Sequence, residues 1–526
     1  MKKQLLLLLL SLVFALKGCQ YPPAGGETET TPPTEESTTA PSLPPCADDA
    51  HTDEGNDGYC DTCNEYVIVT LDFYALNDLH GKLADGENHI GLDEMSSYLK
   101  AARAADEYSF LLSAGDMWQG SPESNNTSGL IITDWMGQMG FDAMVLGNHE
   151  YDWGEDAIKE NESFADFPFL AINIYERADN TPVDYCRPSL LIDKGKVQVG
   201  IIGAMGDCYS SISGDKTEDI YFITGSQLTS LVKAESERLR SEGADIIVYV
   251  IHDGYEKSHY TGALSVSGNA LAGYYDMALS DGYVDLVFEG HTHQRYILRD
   301  TYGVHHLQAG GDNKGLSHAE IELNIANGYQ HLNTAEYVEA NKYANQEKDP
   351  IVDNLLEKYH DQISNALRTV GYNARYRNST YLRNLVAELY YKVGVETWGD
   401  TVDITLGGGF ISVRSPYELN AGDVSYGTLQ SIFPFDNDLV LCSIKGRDLL
   451  SRFINTSNSN YYIYLGGENK STVASRIDPN ATYYIVTDTY CSSYAPNKLT
   501  VVERYTPGIY ARDLLADYIT NGGLAS

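Results

Sequence analysis

The stretch GNHEYDWG, from Gly147 to Gly154, decides the fold because it joins an apolar run to a loop of chemically active side chains. The run over 141–146 has the length and composition of a buried strand. Strands of open α/β sheets carry their functional loops at their carboxyl ends. Here Asn148 can offer an amide oxygen to a metal ion while His149 faces a substrate and Asp152 holds the other imidazole nitrogen. The ordinary alternative is a turn capped by Asn and Asp, with a surface histidine.

Four more apolar runs end in loops of the same chemical character. These loops are NDLHG (77–81), GDMWQGS (115–121), HD (252–253) and GHTH (290–293). Segments with helical spacing, at 92–105, 130–139 and 227–242, lie between the runs. This alternation predicts a layered α/β fold whose strand ends share one site.

The five loops together have the ligand types of a dinuclear metal centre. Two divalent ions roughly 3.5–4 Å apart need a bridging carboxylate, further N and O ligands, and open positions for water and phosphate. Asp116 is the natural bridge. Along an extended segment, the Asp-x-His and His-x-His spacings place both side chains of a pair on one face. We predict that Asp78, His80 and His293 complete one ion, and that Asn148, His252 and His291 complete the other.

These motifs resemble those of the calcineurin-like metallophosphoesterases, and more narrowly those of the 5'-nucleotidase family that includes bacterial UDP-sugar hydrolases. The similarity runs from about Val67 to the end of the chain. It implies an α/β fold with a four-layer α/β/β/α metallophosphoesterase domain, followed by a smaller α+β substrate-binding domain. It also implies a catalytic pair, His149 and Asp152, that assists a two-metal attack of hydroxide on phosphorus. His293 stands where some members have Gln, and Mn, Zn, Co, Fe and Mg are not distinguished.

The resemblance further implies that the C-terminal domain binds the nucleoside end of a substrate. In LGGGFISVRSP (406–416), Leu406 replaces the family's Asn, and three extra residues precede the arginine. Tyr490 matches the second aromatic position better than Tyr494 does. Core packing for Phe435 and a solvated side chain for Arg414 are the ordinary alternatives. The predicted substrate-binding residues are Arg377, Gly408, Arg414, Phe435 and Tyr490.

The N-terminus has the pattern of a secretory signal. A charged Met1-Lys2-Lys3 precedes an apolar run over 5–16 that is too short for a permanent transmembrane helix. The sequence of residues 16–19 resembles the lipobox of bacterial lipoproteins, which implies lipidation of Cys19 and a location at the cell surface. Plain secretion is the alternative. Residues 21–45 are dominated by Thr, Pro, Glu, Ser and Gly, a composition that predicts a disordered tether.

A short Cys-rich segment follows the tether. Its ligand types and its Cys-x-x-Cys pair favour a small zinc site formed by Cys46, His51, Cys60 and Cys63. A calcium loop built on Asp53, Asp57, Gly58 and Asp61 is a rival, but it has Asn64 where the final glutamate belongs. Disulfides are a third interpretation. Elsewhere, either two disulfides or four buried thiols fit Cys186, Cys208, Cys442 and Cys491.

The chain divides into six predicted segments. The linker helix rests on an apolar stripe at 351, 355, 356, 359 and 363, which an ordinary core helix would also show. The segments are 1–19, signal peptide with lipobox; 20–45, disordered tether; 46–65, Cys-rich; 66–337, metallophosphoesterase domain; 338–370, linker helix; and 371–526, C-terminal domain.

The net charge of −38, from 74 acidic and 36 basic residues, argues against nucleic acid or anionic lipid as a partner. A lipid anchor would be the contact with the membrane, and the substrate would be a small nucleotide. We therefore predict an extracellular phosphohydrolase that acts on nucleoside 5'-monophosphates, UDP-sugars or cyclic nucleotides. The alternatives are a broad phosphoesterase or thiosulfate-ester hydrolase of the same fold, and a non-enzymatic surface adhesin.

Overall fold

The computed structural model describes residues 46, 50–85, 90–255, 282–300, 303–344, 346–414, 416–506 and 508–526. The predicted signal peptide, Cys19 and the tether lie outside these residues. The strands in chain order are β1 Ile68–Leu76, β2 Ser109–Ser113, β3 Ala143–Val145, β4 Phe169–Leu170, β5 Ile174–Glu176, β6 Ser189–Asp193, β7 Gln198–Met205, β8 Ile220–Phe222, β9 Ile246–His252, β10 Leu286–Glu289, β11 Arg295–Arg299, β12 His305–Ala309, β13 Gly315–Asn324, β14 Tyr329–Glu339, β15 Thr369–Asn373, β16 Ile404–Phe410, β17 Gly422–Ser425, β18 Leu439–Lys445, β19 Tyr461–Tyr464, β20 Thr482–Asp488 and β21 Thr500–Arg504.

Helices alternate with these strands. The α-helices are Leu92–Ala105, Pro122–Asn125, Leu130–Met139, Glu155–Phe164, Gly225–Ser241, Ile351–Lys358, His360–Leu367, Ser379–Trp398, Tyr426–Ile432, Gly446–Leu449, Lys470–Ala474, Thr489–Ser493 and Ala511–Thr520. Two of the predicted helices, Leu92–Ala105 and Leu130–Met139, have the predicted bounds, because each has an uninterrupted apolar stripe that ends at a polar or glycine residue.

Two six-stranded sheets form the N-terminal part of the fold. Their orders are β14-β13-β1-β2-β3-β4 and β11-β12-β10-β9-β7-β6. Strands β1 to β4 are parallel, as are β7, β9, β10 and β12. Antiparallel strands extend both sheets. Because parallel strands end at the same edge of a sheet, the five loops with metal-ligand chemistry meet at one place.

The two sheets face each other across an apolar core. From β1, Leu71 and Phe73 enter this core, and from β9, Val248 and Val250 do so. The outer face of the first sheet packs against helices Leu92–Ala105 and Leu130–Met139, and that of the second against Gly225–Ser241. Strands buried on both faces are apolar along their whole length, which is why they stand out in the sequence. The predicted four-layer α/β/β/α domain is confirmed.

The C-terminal part is a smaller α+β domain. Its five-stranded sheet has the order β19-β16-β20-β18-β21. Helix Ser379–Trp398 packs on one face through Leu382 and Val386, and a second apolar cluster that includes Phe453 covers the other. The predicted two-domain fold class is therefore also confirmed.

The junction between the domains differs from the prediction of one linker helix over 338–370. Strand β14 continues to Glu339, and two helices, Ile351–Lys358 and His360–Leu367, follow. They are separated at Tyr359, whose backbone leaves the helical region (φ −98°, ψ 11°). The hydroxyl of buried Tyr359 donates to Asp134 at 3.1 Å, so contact with the catalytic domain accompanies the break. The side chains of the predicted apolar stripe pack in the core of the catalytic domain.

Among the described helices, none is both long and apolar enough to cross a membrane.

Candidate metal centre and substrate pocket

The predicted metal ligands lie at the carboxyl ends of five parallel strands in the two facing sheets. The loops after β1, β2 and β3 come from one sheet, and those after β9 and β10 come from the other. The carboxylates and the amide are buried, with Asp78 fully buried. The structure brings together all seven: Asp78, His80, Asp116, Asn148, His252, His291 and His293.

The backbone at these loops is left-handed, not extended. The φ angles are 50° at Asp78 and His80, 54° at Asp116, 68° at His291 and 52° at His293. The explanation of the Asp-x-His and His-x-His spacings by alternation along a strand is therefore wrong. The backbone of each loop turns sharply after its strand. In the Asp-x-His and His-x-His loops, this turn directs both side chains of the pair into the gap between the sheets. Non-glycine residues adopt this conformation at a steric cost, so its recurrence at five ligands marks a site that the surrounding packing holds in place.

The ligand atoms form two overlapping sets. The first contains Asp78, His80 and His293, and the second contains Asp78, Asp116 and His252; within each set the ligand atoms lie within 4.8 Å of one another. The His80 Nε2 lies 3.0 Å from the His293 Nε2, and the His252 Nε2 lies 3.2 Å from a carboxylate oxygen of Asp116. Mixed imidazole and carboxylate donors suit divalent transition metals.

Hydrogen bonds to backbone carbonyls set the tautomers of two of the histidines. The Nδ1 of His80 donates to the Gln119 carbonyl at 2.8 Å, and that of His252 donates to the Ala114 carbonyl at 2.6 Å. A carbonyl only accepts, so Nδ1 must carry the proton in both rings. In the neutral form of each ring, Nε2 is therefore unprotonated and faces the centre, which is the arrangement that a metal-binding imidazole needs.

The electrostatics of the centre also fit bound cations. Burial, followed by the charge of nearby His293, lowers the pKa of His80 to about 3, so this ring is neutral and free to bind a metal. Burial also acts to lower the pKa of His252, but the carboxylates of Asp116 and Asp78 raise it to about 10. Without a metal, a buried proton must therefore balance the carboxylates. A divalent ion can take over that role, because buried charges are stable only when they are paired.

His149 and Asp152 form the predicted pair. The Nδ1 of His149 lies 2.8 Å from a carboxylate oxygen of Asp152. Burial opposes protonation of His149, but the charges of Asp152 and Asp116 raise its pKa overall. Since Asp152 holds the Nδ1 proton, Nε2 points away from it toward the C-terminal domain, where Arg414 lies 3.0 Å away.

A cavity of about 240 Å³ lies between the two domains, beside the metal centre. The catalytic domain contributes His149, Asp152 and His291 to its wall, and the C-terminal domain contributes aromatic side chains. The ring of Phe435 stacks on the imidazole of His149 with 5.6 Å between the ring centroids. The C-terminal residues that line the cavity include Tyr390, Phe410, Arg414, Phe433, Phe435, Asn437, Asp488 and Tyr490.

Comparison with known proteins agrees with this geometry. Residues 71–295 match the family model described as calcineurin-like phosphoesterase. The chain contains a calcineurin-like phosphoesterase domain. All five ligand loops lie within the matched residues, so the family match and the strand-end geometry concern the same site. The chain is thus a metal-dependent phosphoric ester hydrolase.

The similarity extends beyond the phosphoesterase domain. Protein UshA of Yersinia enterocolitica is 25% identical over 475 residues, which cover 78% of this chain and 83% of UshA. A 5'-nucleotidase of Vibrio cholerae is 29% identical over 224 residues, but these cover only 41% of this chain and 39% of that protein. The crystal structure of a 5'-nucleotidase precursor from Thermus thermophilus has a TM-score of 0.66 at 17% identity, and the match covers 86% of this chain and 96% of that one. That likeness concerns the fold.

Glu150 is a residue of the phosphoesterase domain that the sequence analysis missed. It is fully buried, and its carboxylate accepts N–H bonds from Gly147 at 2.7 Å, Met117 at 2.8 Å, Asp116 at 2.9 Å and Trp118 at 3.3 Å. It therefore ties the loop after β3 to the loop after β2. Burial and the charge of Asp116 raise its pKa to about 7, so a cation in the centre also favours its carboxylate form.

Cys208 was also missed. Its Sγ donates to the carbonyl of His252 at 2.8 Å and lies within 4.8 Å of the ligand atoms of His252 and His291. It follows the end of β7, a parallel strand between β9 and β6, so the reasoning that found the other loops applies to it too. Cys186, Cys208, Cys442 and Cys491 are free thiols in the structure.

Two of the predicted substrate-binding residues lie outside the cavity wall. Arg377 donates to an oxygen of Ser526 at 3.2 Å and covers the ring of Tyr381 at 4.4 Å. Gly408 lies within β16, where a Cβ would collide with the carbonyl oxygen of Tyr462. The glycine at 408 is thus closely packed within the sheet, and the cavity wall begins two residues later, at Phe410. A role for Arg377 and Gly408 in substrate binding stays a prediction.

The Cys-rich segment forms a separate cluster. Cys46, His51, Cys60 and Cys63 bring their ligand atoms within 4.8 Å of one another. The structure thus assembles the four residues that the sequence singled out.

Proposed function

We propose that this chain is an extracellular two-metal phosphohydrolase that releases phosphate from nucleotides. The preferred substrates would be nucleoside 5'-monophosphates, with UDP-sugars and cyclic nucleotides as related ones. The names of the relatives, a 5'-nucleotidase among them, support a nucleotide substrate, and the chemistry of the cavity supports it independently.

The contact between Arg414 and His149 carries the proposal. The Arg414 Nη2 lies 3.0 Å from the His149 Nε2. This contact places an arginine of the C-terminal domain, beside the aromatic side chains of the cavity, next to the catalytic histidine. A phosphate at the metal centre would meet the guanidinium, whose planar fork suits phosphoryl oxygens. The organic part of the ester would then extend toward the rings of Phe435, Tyr490 and Phe410. Flat aromatic surfaces favour a base, because base–aromatic stacking contributes about 1–3 kcal/mol.

The roles of the residues follow from this placement. When bound, divalent ions would neutralise the phosphoryl oxygens and make water a stronger nucleophile. The seven ligand residues would hold these ions, and Glu150 connects two of the ligand loops through its hydrogen bonds. Asp152 keeps the Nδ1 proton of His149 in place and directs Nε2 toward the leaving group. In its imidazolium form, which the charges of Asp152 and Asp116 favour, the ring can donate its Nε2 proton to the departing alkoxide. Arg414 positions the phosphate for in-line attack.

A hydrolysis assay on the purified chain, with the products separated by chromatography, tests the proposal. The protein is stripped with a chelator and supplied with Mn, Co, Zn or Mg in turn, and AMP, UDP-glucose, cyclic AMP and p-nitrophenyl phosphate are compared. We expect activity to require added metal and kcat/KM to be highest for AMP. Equal use of AMP and the aryl phosphate would replace the nucleotidase proposal with a general phosphoesterase. Turnover of a thiosulfate ester alone would favour the alternative hydrolase.

The variant Asp116→Asn tests the dinuclear centre. Asp116 is 2% exposed and lies next to ligand atoms of His252. We expect the variant to bind fewer metal equivalents and to lose activity, because an amide cannot bridge two cations as a carboxylate does. Asp156→Asn, at an exposed position in a neighbouring helix, is the matched control. Full metal content and activity in Asp116→Asn would contradict the assignment.

The proposed location depends on Cys19, and a labelling experiment tests it. Expressed with its own leader in a bacterial host, the chain should be recovered with membranes and carry a lipid on Cys19, and Cys19→Ser should release it. An unmodified N-terminus on a freely secreted protein would contradict the lipid anchor.

A further inference from the structure

The Cys-rich segment contains a second cluster of metal-binding groups, apart from the phosphoesterase site. The Sγ atoms of Cys46 and Cys60 are 3.5 Å apart, and the Sγ of Cys63 is 3.4 Å from the Nδ1 of His51. In a tetrahedral zinc site with bonds of about 2.3 Å to sulfur and about 2.0 Å to nitrogen, the ligand atoms lie roughly 3.8 Å (S to S) and 3.6 Å (S to N) apart. The observed S–S and S–N distances are close to these ligand-to-ligand distances.

The other two interpretations of this segment fit less well. A disulfide needs its sulfur atoms about 2.05 Å apart, so the pair at 3.5 Å is not one. A calcium loop needs free carboxylate oxygens. Here N–H groups of Asp57 and Gly58 donate to the two carboxylate oxygens of Asp53, and that of Glu54 donates to one oxygen of Asp61, so three of the oxygens that such a loop needs already accept hydrogen bonds.

We propose that Cys46, His51, Cys60 and Cys63 bind one structural zinc ion. The three thiols bind as thiolates and release their protons to water, and His51 binds through Nδ1. The Nε2 of His51 lies 3.5 Å from a carboxylate oxygen of Glu65, which orients the ring in the manner common for zinc-binding histidines.

The Cys-rich segment also contacts one end of the first sheet of the catalytic domain. Buried Asp53 accepts a hydrogen bond from the Asn324 side chain at 2.7 Å, at the end of β13, and the Asp53 carbonyl accepts one from Asn327 at 3.3 Å. The N–H of Val67, just before β1, donates to the Gly58 carbonyl at 3.0 Å. A segment this short has too little apolar core to hold such a loop without a metal or a cross-link. A bound ion would therefore hold the loop over 50–66 against the start of β1 and the end of β13, and we call the four zinc ligands with this loop the zinc clasp.

Metal counting on the full chain tests the zinc clasp, with Cys60→Ser compared against Cys186→Ser. Cys186 is a half-buried free thiol outside the cluster, which makes it the matched control. Cys60→Ser should contain one zinc equivalent fewer than the control. After cobalt substitution it should also lose the sulfur-to-metal absorption bands that the control keeps. Hydrogen exchange should rise at the Val67 amide, whose bond to Gly58 depends on the loop, while hydrolysis of p-nitrophenyl phosphate stays at the control level.

A second variant guards against a simple folding defect. Cys63→His keeps four ligands and should retain the ion with weaker sulfur bands. Equal zinc content in Cys60→Ser and Cys186→Ser, loss of the ion from Cys63→His, or disulfide-linked peptides containing Cys46, Cys60 or Cys63 in the native protein would each overturn the proposal. None of these outcomes depends on the proposed nucleotide substrate, because the readouts are metal content, spectra and amide exchange.

Discussion

Replacing Glu150 by glutamine tests how the phosphoesterase domain keeps its ligand loops in register. One carboxylate oxygen accepts the N–H groups of Met117 and Trp118, and the other accepts those of Asp116 and Gly147. Glutamine keeps one acceptor oxygen, so two buried N–H donors would face its amide NH₂ whichever way it is turned. Each buried, unsatisfied donor costs about 1–3 kcal/mol, so the expected loss of unfolding free energy is about 2–6 kcal/mol.

The same change should impair catalysis, because both loops carry metal ligands. A misplacement of about 1 Å lowers turnover by roughly 10²-fold, so we expect at least that loss together with weaker metal binding. Denaturant unfolding, metal analysis and phosphate release from AMP measure the three effects. The control is Glu160→Gln, which makes the same chemical change at an exposed position of the next helix. If Glu150→Gln matched this control in stability, metal content and turnover, our account of the coupled loops would be refuted.

Three further outcomes are expected. His149→Ala should lower turnover by about 10²–10⁴-fold with metal content unchanged, and loss of metal would make His149 a ligand instead. Tyr490→Ala should lower kcat/KM for AMP by an amount equivalent to about 1–3 kcal/mol while sparing p-nitrophenyl phosphate, and equal loss on both substrates would mean that this ring only supports the fold. Phe435→Ala should lower both rates, and the rate for AMP more, because its ring also stacks on His149. Burial raises the pKa of Asp488 from 3.8 to about 6, so its contribution to stability is fully present below pH 3.8 and is lost as the pH rises through about 6, a difference of about 3 kcal/mol. Urea unfolding of Asp488→Asn should lack this fall, whereas parallel curves for the variant and the wild type would contradict it.

The architecture, and the grouping of the candidate metal ligands, could be predicted from the sequence because both depend on local patterns. Strands buried on both faces are continuous apolar runs, and polar loops at their ends stand out against them. Asp78, Asp116 and His252 were found in this way and lie together in the structure. Cys208 also lies in a loop at the carboxyl end of a parallel strand, β7, and could have been predicted in the same way.

The cavity wall on the substrate side could be predicted less fully from the sequence, because its residues are defined by contacts between distant parts of the chain. Arg414 and His149 are 265 positions apart, yet they are in hydrogen-bond contact. Arg377 carries the same charge as Arg414 but turns toward the C-terminus, and no local pattern separates the two. Gly408 looked like part of a phosphate loop, although it is closely packed inside β16.

By itself, the sequence determined which side chains end the parallel strands, and hence that carboxylate, amide and imidazole ligands would gather at one edge of two sheets. Chain periodicity and side-chain chemistry are local properties, and they can be read without knowing the neighbours. Only the tertiary structure decided the left-handed turns at Asp78 and His291, the four N–H bonds to Glu150, and the closing of the pocket by Arg414. Each of these depends on packing between segments far apart in the chain, and that packing overrides the local backbone preference.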